Sequence, residues 1–362
     1  ALGASPWRVF WRVEWPAIRP WLASALCLVF LYCLSGFGLA LVLGGPRYAT
    51  AEVEIYTLVA HELQLAQAGV LAVCMALLTA LVALAYAWIE RHLALPGRPD
   101  AIALRRPAGA RQWAAVLGAM LILLVFCAAP LLAILVRTLQ AGAPAWAAVL
   151  EPDSLQAIFN TLRFTAAALA LAVLLGVTHA LAARRSVWLR AAAFLPFVVS
   201  PVAVAFGLLL LYPQWSASLW VLVAAYALLA YPFVAQSLGA ALDNLPTQLT
   251  QAARTLGATR WRLFWRVTLP LVLPSLRRGM AFAAATALGE FAVTLFLSRP
   301  EWATLTTLIY ERLGRPGAGN RDDALVLATV LMLLALLAFL LIDRPSARDT
   351  EPRRLLAGAA HA

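Results

Sequence analysis

Few side chains in this sequence are typed and spaced for chemistry. Cysteines stand at 27, 33, 74 and 127, inside apolar runs, with no CxxC pair and no metal-ligand spacing. They read as small hydrophobes in packed helices. Histidines at 61, 92, 179 and 361 are equally dispersed, so no metal site is expected, and His179 has a packing role and no evident partner. All 28 basic residues are Arg. A standard P-loop needs a Lys at the β/γ-phosphates, so any ATP that drives this protein binds on another subunit. One acid stands out: Glu290, inside the apolar run 274–297. Helical rise places it roughly 18 Å beyond Arg278, past the middle of a bilayer's hydrocarbon. An ionisable group there belongs to a translocation pathway, or is a protonated or hydrogen-bonded lock between the two halves of the chain.

The elements that must position these residues are membrane helices. The chain has 362 residues, 63% hydrophobic and 12% charged, with a mean hydropathy of +0.84. A soluble domain averages about half apolar and a quarter charged. The fold class is therefore all-α integral membrane. Apolar runs of spanning length lie at roughly 20–43, 66–90, 113–137, 158–183, 191–212, 217–238, 274–297 and 323–342, about eight transmembrane helices. The first is too long for a signal-peptide core. Only "PQWSA" separates the fifth and sixth, a tight hairpin.

Arginine sets the sidedness. The connections 91–112, 184–190 and 239–273 and the tail 344–362 are Arg-rich, whereas 44–65, 138–157 and 298–322 hold Glu52, Glu54, Glu62, Glu151, Asp153, Glu301 and Glu311. The positive-inside rule then puts both chain ends in the cytoplasm. The net charge of +11 suits an inner face touching anionic lipid and calls for no nucleic acid.

The sequence also repeats itself. "LGASPWRVFWRVEWPAIRP" from Leu2 and "LGATRWRLFWRVTLPLVLP" from Leu256 align without a gap at a shift of 254. The register continues: Phe37 falls on Phe291, Pro46 on Pro300, and Ile55-Tyr56 on Ile309-Tyr310. These are parallel repeats, both the same way up in the membrane. In the fuller copy, "LPTQLTQAARTLGA" opens at Pro246, sets Leu249, Ala252, Ala253 and Leu256 at helical spacing, and stops at Gly257. It predicts a short helix on the cytoplasmic face. "TRWRLFWRV" then reads as an interfacial segment with Trp at headgroup depth, and Pro270 and Pro274 as the turn into the membrane. Arg260, Arg262 and Arg266 suit lipid phosphate better than ATP.

Gln251-Ala252-Ala253, three residues, Gly257, nine residues, Val267, one residue, Leu269-Pro270 resembles the EAA loop of binding-protein-dependent ABC importer permeases, with Gln for Glu and Val for Ile. In the first copy Gly3, Val13, Trp15 and Pro16 keep the spacing, and the E-A-A part would precede Ala1. "LPFVVSPVAVAFGLLLLY", "AYALLAYPFVAQSLGAALDNLP" and "ATALGEFAVTLF" are similar to the helices around that loop.

The resemblance implies a type I ABC importer permease of the fused, two-half kind. The first half would be truncated at 1–100, a cytoplasmic linker would run over 101–112, and the second half would hold six helices at 113–343 before the tail 344–362. The upstream helices of the first half are expected to be missing from the sequence, or the permease to be split. The resemblance makes Leu2, Gly3, Ala252, Ala253, Leu256 and Gly257 the ATPase-coupling residues, gripped by two copies of an ABC ATPase. ATP and Mg would bind there and not on this chain. A soluble binding protein would deliver the solute to a bacterial inner membrane.

Candidate pathway residues are Glu290, Phe291, Phe37, Asn160 and Thr161, the last two with Arg163 at a vestibule. "RVEWPAIRP" and the string "LGGP…AT.E..IY" look most like the thiamine-type permease, with the ferric-iron type as the alternative. A proton-coupled secondary transporter would use an intramembrane acid such as Glu290 but gives no reason for paired coupling helices. A membrane enzyme would need a nucleophile or metal constellation in or near the bilayer, which the scattered His and Cys residues do not offer.

Overall fold

The computed structural model describes residues 5–93, 107, 109–186, 189, 199–215, 218–245, 247–297 and 299–343. Every regular element among them is helical. Contacts divide the chain into two units, Ala1–Trp146 and Ala147–Ala362.

The first unit holds α1 (Trp15–Leu34), α2 (Phe37–Gly44), α3 (Ala51–Ala60), α4 (Leu65–Leu93) and α5 (Ala110–Gln140). α1 and α3 both pack on α4, burying Leu31, Phe37, Val53, Ile55, Leu58 and Ala68. None of the most apolar stretch of α5 is buried. α5 groups with the first unit, and the division falls after Trp146.

The second unit contains α6 (Pro152–Ala183), α7 (Pro201–Leu211), α8 (Leu219–Asp243), α9 (Thr247–Thr255), α10 (Leu269–Leu288), α11 (Ala292–Leu297), α12 (Leu305–Gly314) and α13 (Ala318–Ile342). α8 is its centre, packed by both α6 and α10, which also meet each other. Small residues permit this closeness. A Cβ on Gly176 would lie 2.6 Å from Cβ of Val234, and one on Gly279 would lie 2.9 Å from the carbonyl oxygen of Phe233. Ala168, Ala172, Ala227, Ala230, Ala283 and Ala287 fill the same core. In lipid, where no hydrophobic gain separates helix from acyl chain, such close packing is a main source of helix association.

Among the described residues, five helices are long and apolar enough to span a membrane: Leu65–Ala85, Ala110–Gln140, Pro152–Ala183, Leu219–Asp243 and Ala318–Ile342. The other three expected spans depart from single helices. Run 20–43 divides between α1 and α2, and run 274–297 between α10 and α11. Of run 191–212, the residues 191–198 lie outside those described; α7 starts at Pro201, where the Ser200 side chain caps it by accepting from the Ala203 N–H at 3.0 Å.

The Trp-rich passages also differ from expectation. Residues 260–288 form one uninterrupted helix, as do 6–34, so Pro270 makes no turn. Each contains a π turn, Phe264–Thr268 and Phe10–Glu14, closed by Leu269 N–H to the Phe264 carbonyl and Trp15 N–H to the Phe10 carbonyl. A third, Leu124–Ala128, closes from Ala129 to Leu124. Pro16, Pro130 and Pro270 follow directly. Proline has no N–H to give, and its ring would strike the carbonyl four residues back, so widening the preceding turn relieves the clash without ending the helix.

The repeat reaches to element boundaries. Trp15–Leu34 and Leu269–Leu288, Pro46–Tyr48 and Pro300–Trp302, and Ala51–Ala60 and Leu305–Gly314 are all offset by 254. Trp7 and Trp11 meet at 5.7 Å and 75°, and Trp261 and Trp265 at 5.4 Å and 69°.

Candidate functional site

Glu290 lies at a joint and not inside a helix, which corrects its expected setting. α10 ends at Gly289 (φ −87°, ψ 3°), and α11 starts at Ala292. The break of three residues, 289–291, frees backbone groups that hydrocarbon cannot solvate, so they must find partners within the protein. Here the Glu290 carboxylate Oε1 accepts the Val293 N–H at 3.0 Å and so caps α11. The Glu290 carbonyl accepts from the Thr306 hydroxyl at 3.0 Å, with Thr294 at 3.3 Å and Tyr226 at 3.4 Å. The Tyr226 and Thr294 hydroxyls also bond to each other. Glu290 is 8% exposed. Both of its polar ends hold the joint together within the second unit.

The first unit has the same joint without the acid. α1 ends at Ser35 (φ −88°, ψ 18°) and Gly36 (φ −81°, ψ 51°) precedes α2. Phe37, just past this break, meets Tyr56 of α3 at 5.6 Å and 68°; Phe291 meets Tyr310 of α12 at 5.3 Å and 58°. Aromatic pairs at such angles set positive ring edges near negative faces. Each break is thus tied to the short helix that follows it.

Asn160 and Thr161 are buried on α6. Asn160 Nδ2 donates to the carbonyls of Glu301 and Ala303, both at 3.0 Å, and its Oδ1 accepts from Arg163 at 3.4 Å. The Thr161 hydroxyl donates to the Ala157 carbonyl at 2.7 Å and accepts the Leu305 N–H at 2.9 Å. They clamp the loop leading into α12, which Thr304 caps together with Thr307. Thr304 and Thr306 hydroxyls stand 2.9 Å apart. One hydrogen-bonded path therefore runs from α6 through the start of α12 to the Glu290 carbonyl.

At the far end of α12, Arg312 is 9% exposed. It pairs with Glu151, just before α6, and with Asp323 of α13 at 3.2 Å. Three elements are tied by one guanidinium, whose planar fork suits two carboxylates at once.

The helix expected on the loop is α9. Gly257 adopts φ +78°, its N–H bonds the Arg254 carbonyl at 2.9 Å, and the Ala258 N–H bonds the Ala253 carbonyl at 3.0 Å. This is a Schellman ending, for which glycine is the low-strain residue. Ala252 and Gly257 are exposed, Ala253 half-buried, and the Leu256 side chain is 88% exposed. The result is a small, smooth helix tip with one projecting apolar side chain. Leu2 and Gly3, its expected counterparts, lie outside the described residues.

Tyr226, Thr294, Thr306 and Arg312 are the site residues that sequence reasoning missed. A hydroxyl in an apolar run carries no sign of whether it bonds its own helix or a neighbour. His179 has partners after all: its Nε2 is 2.9 Å from the Leu189 carbonyl oxygen, and its ring is 5.7 Å from Tyr231. Cys33, Cys74 and Cys127 are exposed and not packed in.

Residues 1–95 and 168–343 match the family described as binding-protein-dependent transport system inner membrane component. The thiamine transport system permease protein ThiP of Escherichia coli is 26% identical over 97% of this chain and 67% of its own length. The chain thus spans about two thirds of that relative. The putative 2-aminoethylphosphonate transport system permease PhnV of Salmonella typhimurium is 29% identical over 49% of this chain and 69% of its own length. A chain from the crystal structure of a bacterial alginate ABC transporter, in complex with an alginate-bound periplasmic protein, shares the fold with a TM-score of 0.51 at 21% identity. That match covers 66% of this chain and 94% of the other. The family model covers more than half of the chain, and the chain belongs to the binding-protein-dependent transport system inner membrane component family.

Proposed function

We propose that this chain is the membrane permease of an ATP-driven importer whose solute is thiamine. The observation that carries the substrate is the extent of one alignment: similarity to the thiamine permease of Escherichia coli runs through 97% of the chain, both repeats included. The similarity to the 2-aminoethylphosphonate permease covers 49% of it.

α9 is the coupling helix of the second half. Leu256 and the flat surface of Ala252, Ala253 and Gly257 seat in a groove of one ABC ATPase. Leu2 and Gly3 belong to the equivalent helix for a second copy. ATP and Mg bind to those ATPases. Their closure moves both coupling helices, and the π-containing helix that follows α9 carries the motion to the Glu290 joint. A soluble binding protein hands over the solute at the opposite face, so the chain lies in the bacterial inner membrane with both ends cytoplasmic. Glu290, Phe291 and Phe37 border the path. A thiazolium cation is compatible with a carboxylate there, and ferric iron would be as well, so charge alone does not choose between them.

Uptake of labelled thiamine and of ferric iron, measured in cells that lack their own thiamine importer and express the full-length permease with its ATPase and binding protein, tests the substrate. Thiamine accumulation is expected. Iron accumulation in its place would overturn the thiamine assignment.

A further inference from the structure

Where α8 ends beside the start of α10, a groove of about 380 Å³ opens between the two helices. Its polar lining is Ser237, Asn244 and Ser275, and its apolar lining includes Leu245 and Leu271. α8 runs for 25 residues, so by helical rise Ser237 lies about 9 Å and Asn244 about 20 Å from its midpoint. Half the thickness of a bilayer's hydrocarbon is about 15 Å. The groove therefore straddles the boundary between acyl chains and headgroups.

Its hydroxyls are unspent. A serine or threonine inside a helix can return its hydroxyl to the carbonyl four residues back, as Thr79, Thr178 and Thr286 do to Met75, Leu174 and Phe282. Among the described residues, the hydroxyls of Ser237 and Ser275 have no such bond and no other partner. Asn244 Nδ2 donates to the Ala240 carbonyl at 2.9 Å, which leaves its second amide hydrogen for a ligand.

One cation belongs to the same stripe. Leu271, Ser275, Arg278 and Phe282 fall within about 60° of one another on α10. A Cβ on Gly279, next to Arg278, would lie 3.0 Å from Cβ of Ser237, so Arg278 is level with that serine. Helical side chains lean toward their own N-terminus, and α10 starts at the headgroup end of the groove. The guanidinium thus reaches back past Ser275 toward the headgroups, as a snorkelling arginine does. Arg278 is exposed, and no group among the described residues bonds it. No carboxylate among them lines the groove, and Asp243, one position before Asn244, lies about 100° round α8 from it. Toward the bilayer's middle, Phe282 stacks on Phe233 at 6.3 Å and 19° and meets Phe339 of α13 at 5.6 Å, a row of rings at acyl-chain depth.

We infer that this groove binds one anionic glycerophospholipid, its phosphate held by the Arg278 guanidinium and the hydroxyls of Ser237 and Ser275, with an acyl chain laid along Phe282 and Phe233. The groove offers donors and one positive charge, and no acid to receive an ammonium, so a lipid of net negative charge fits it better than a zwitterion. The site is independent of the solute and of the ATPase.

Native mass spectrometry tests it, on the full-length permease stripped of lipid in neutral detergent and titrated with phosphatidylglycerol or phosphatidylcholine. The wild type is expected to retain one phosphatidylglycerol at about tenfold lower lipid concentration than phosphatidylcholine, the worth of one charge-assisted contact. Arg278→Gln should remove that preference and Arg278→Lys should keep most of it. Arg262→Gln, at an exposed arginine outside the groove, should leave it within about twofold. Ser275→Leu fills the groove with the cation in place and should weaken retention of both lipids. Equal retention of the two lipids by the wild type, or an equal fall in Arg278→Gln and Arg262→Gln, overturns the inference in favour of diffuse surface charge. Displacement of phosphatidylglycerol by millimolar inorganic phosphate overturns it in favour of a site for the free anion. If Arg278→Gln does not assemble, Ser275→Leu decides, with lost retention in support and unchanged retention against.

Discussion

The ring of Phe291 sits 5.3 Å from that of Tyr310, inclined by 58°, and so fastens a broken membrane helix to the short helix that follows it. Around this contact the Glu290 carbonyl receives its hydroxyl donors and the Glu290 carboxylate caps α11. Tyr226 closes the ring of bonds through Thr294. Tyr226→Phe removes a buried hydroxyl that serves both groups, and is expected to cost about 1 kcal/mol of stability. Thermal unfolding of the purified permease reads the loss; an unchanged midpoint would mean the joint is held without Tyr226.

Packing of α8 against α6 and α10 makes a sharper prediction. Gly279→Ala would bring a methyl to 2.9 Å from the Phe233 carbonyl oxygen, and overpacking of this kind costs about 1–3 kcal/mol. Gly239, on α8 itself, has nothing within 4 Å of an added Cβ. Gly239→Ala should be neutral or slightly stabilising in the same melting experiment, since alanine is the better helix former.

Arg312 binds Glu151 and Asp323 with little exposure of its own. Arg312→Met leaves two acids without their cation and should destabilise by about 2–4 kcal/mol, whereas Glu151→Gln, at the more exposed end of the pair, should cost less than about 1 kcal/mol. Equal losses in the two variants would show that the cluster is not organised around the arginine.

Much of this was legible in the sequence. The shift of 254 predicted the paired elements, "QAARTLG" predicted α9, and Gly257 predicted its ending. Glu290 stood out because an acid in an apolar run is costly wherever it sits. The break beside it was not legible, because hydropathy averages over the run 274–297 and does not register three residues of lost helix. Gly289-Glu290 and Ser35-Gly36, at equal places in the two copies, were the available sign. Pro270 and Pro274 read as the turn into the membrane, yet both lie within one continuous helix, where a π turn precedes Pro270 as it does Pro16 and Pro130, since a helix in lipid loses more by ending than by widening. The contacts of Asn160 and Thr161 with residues 301–305 join positions more than 140 apart in sequence, and no local spacing encodes such a pairing.

Leu256→Glu and Gly257→Arg alter a surface already facing outward, so both variants should reach the membrane in normal amounts. Arg at 257 adds the strain of a positive φ, about 1 kcal/mol, which a permease of this size should survive. Each should abolish co-purification of the ATPase. An ATPase still bound with wild-type affinity would show that α9 is not the coupling helix.

The most direct test of an ATP-driven permease is thiamine uptake into proteoliposomes holding the full-length permease and its binding protein, with the ATPase present or omitted and a proton gradient imposed or not. Uptake is predicted to require the ATPase and ATP, to be indifferent to the gradient, and to vanish with Leu256→Glu. Uptake that follows the proton gradient without any ATPase would contradict the account, and would make Glu290 part of a proton-coupled transporter.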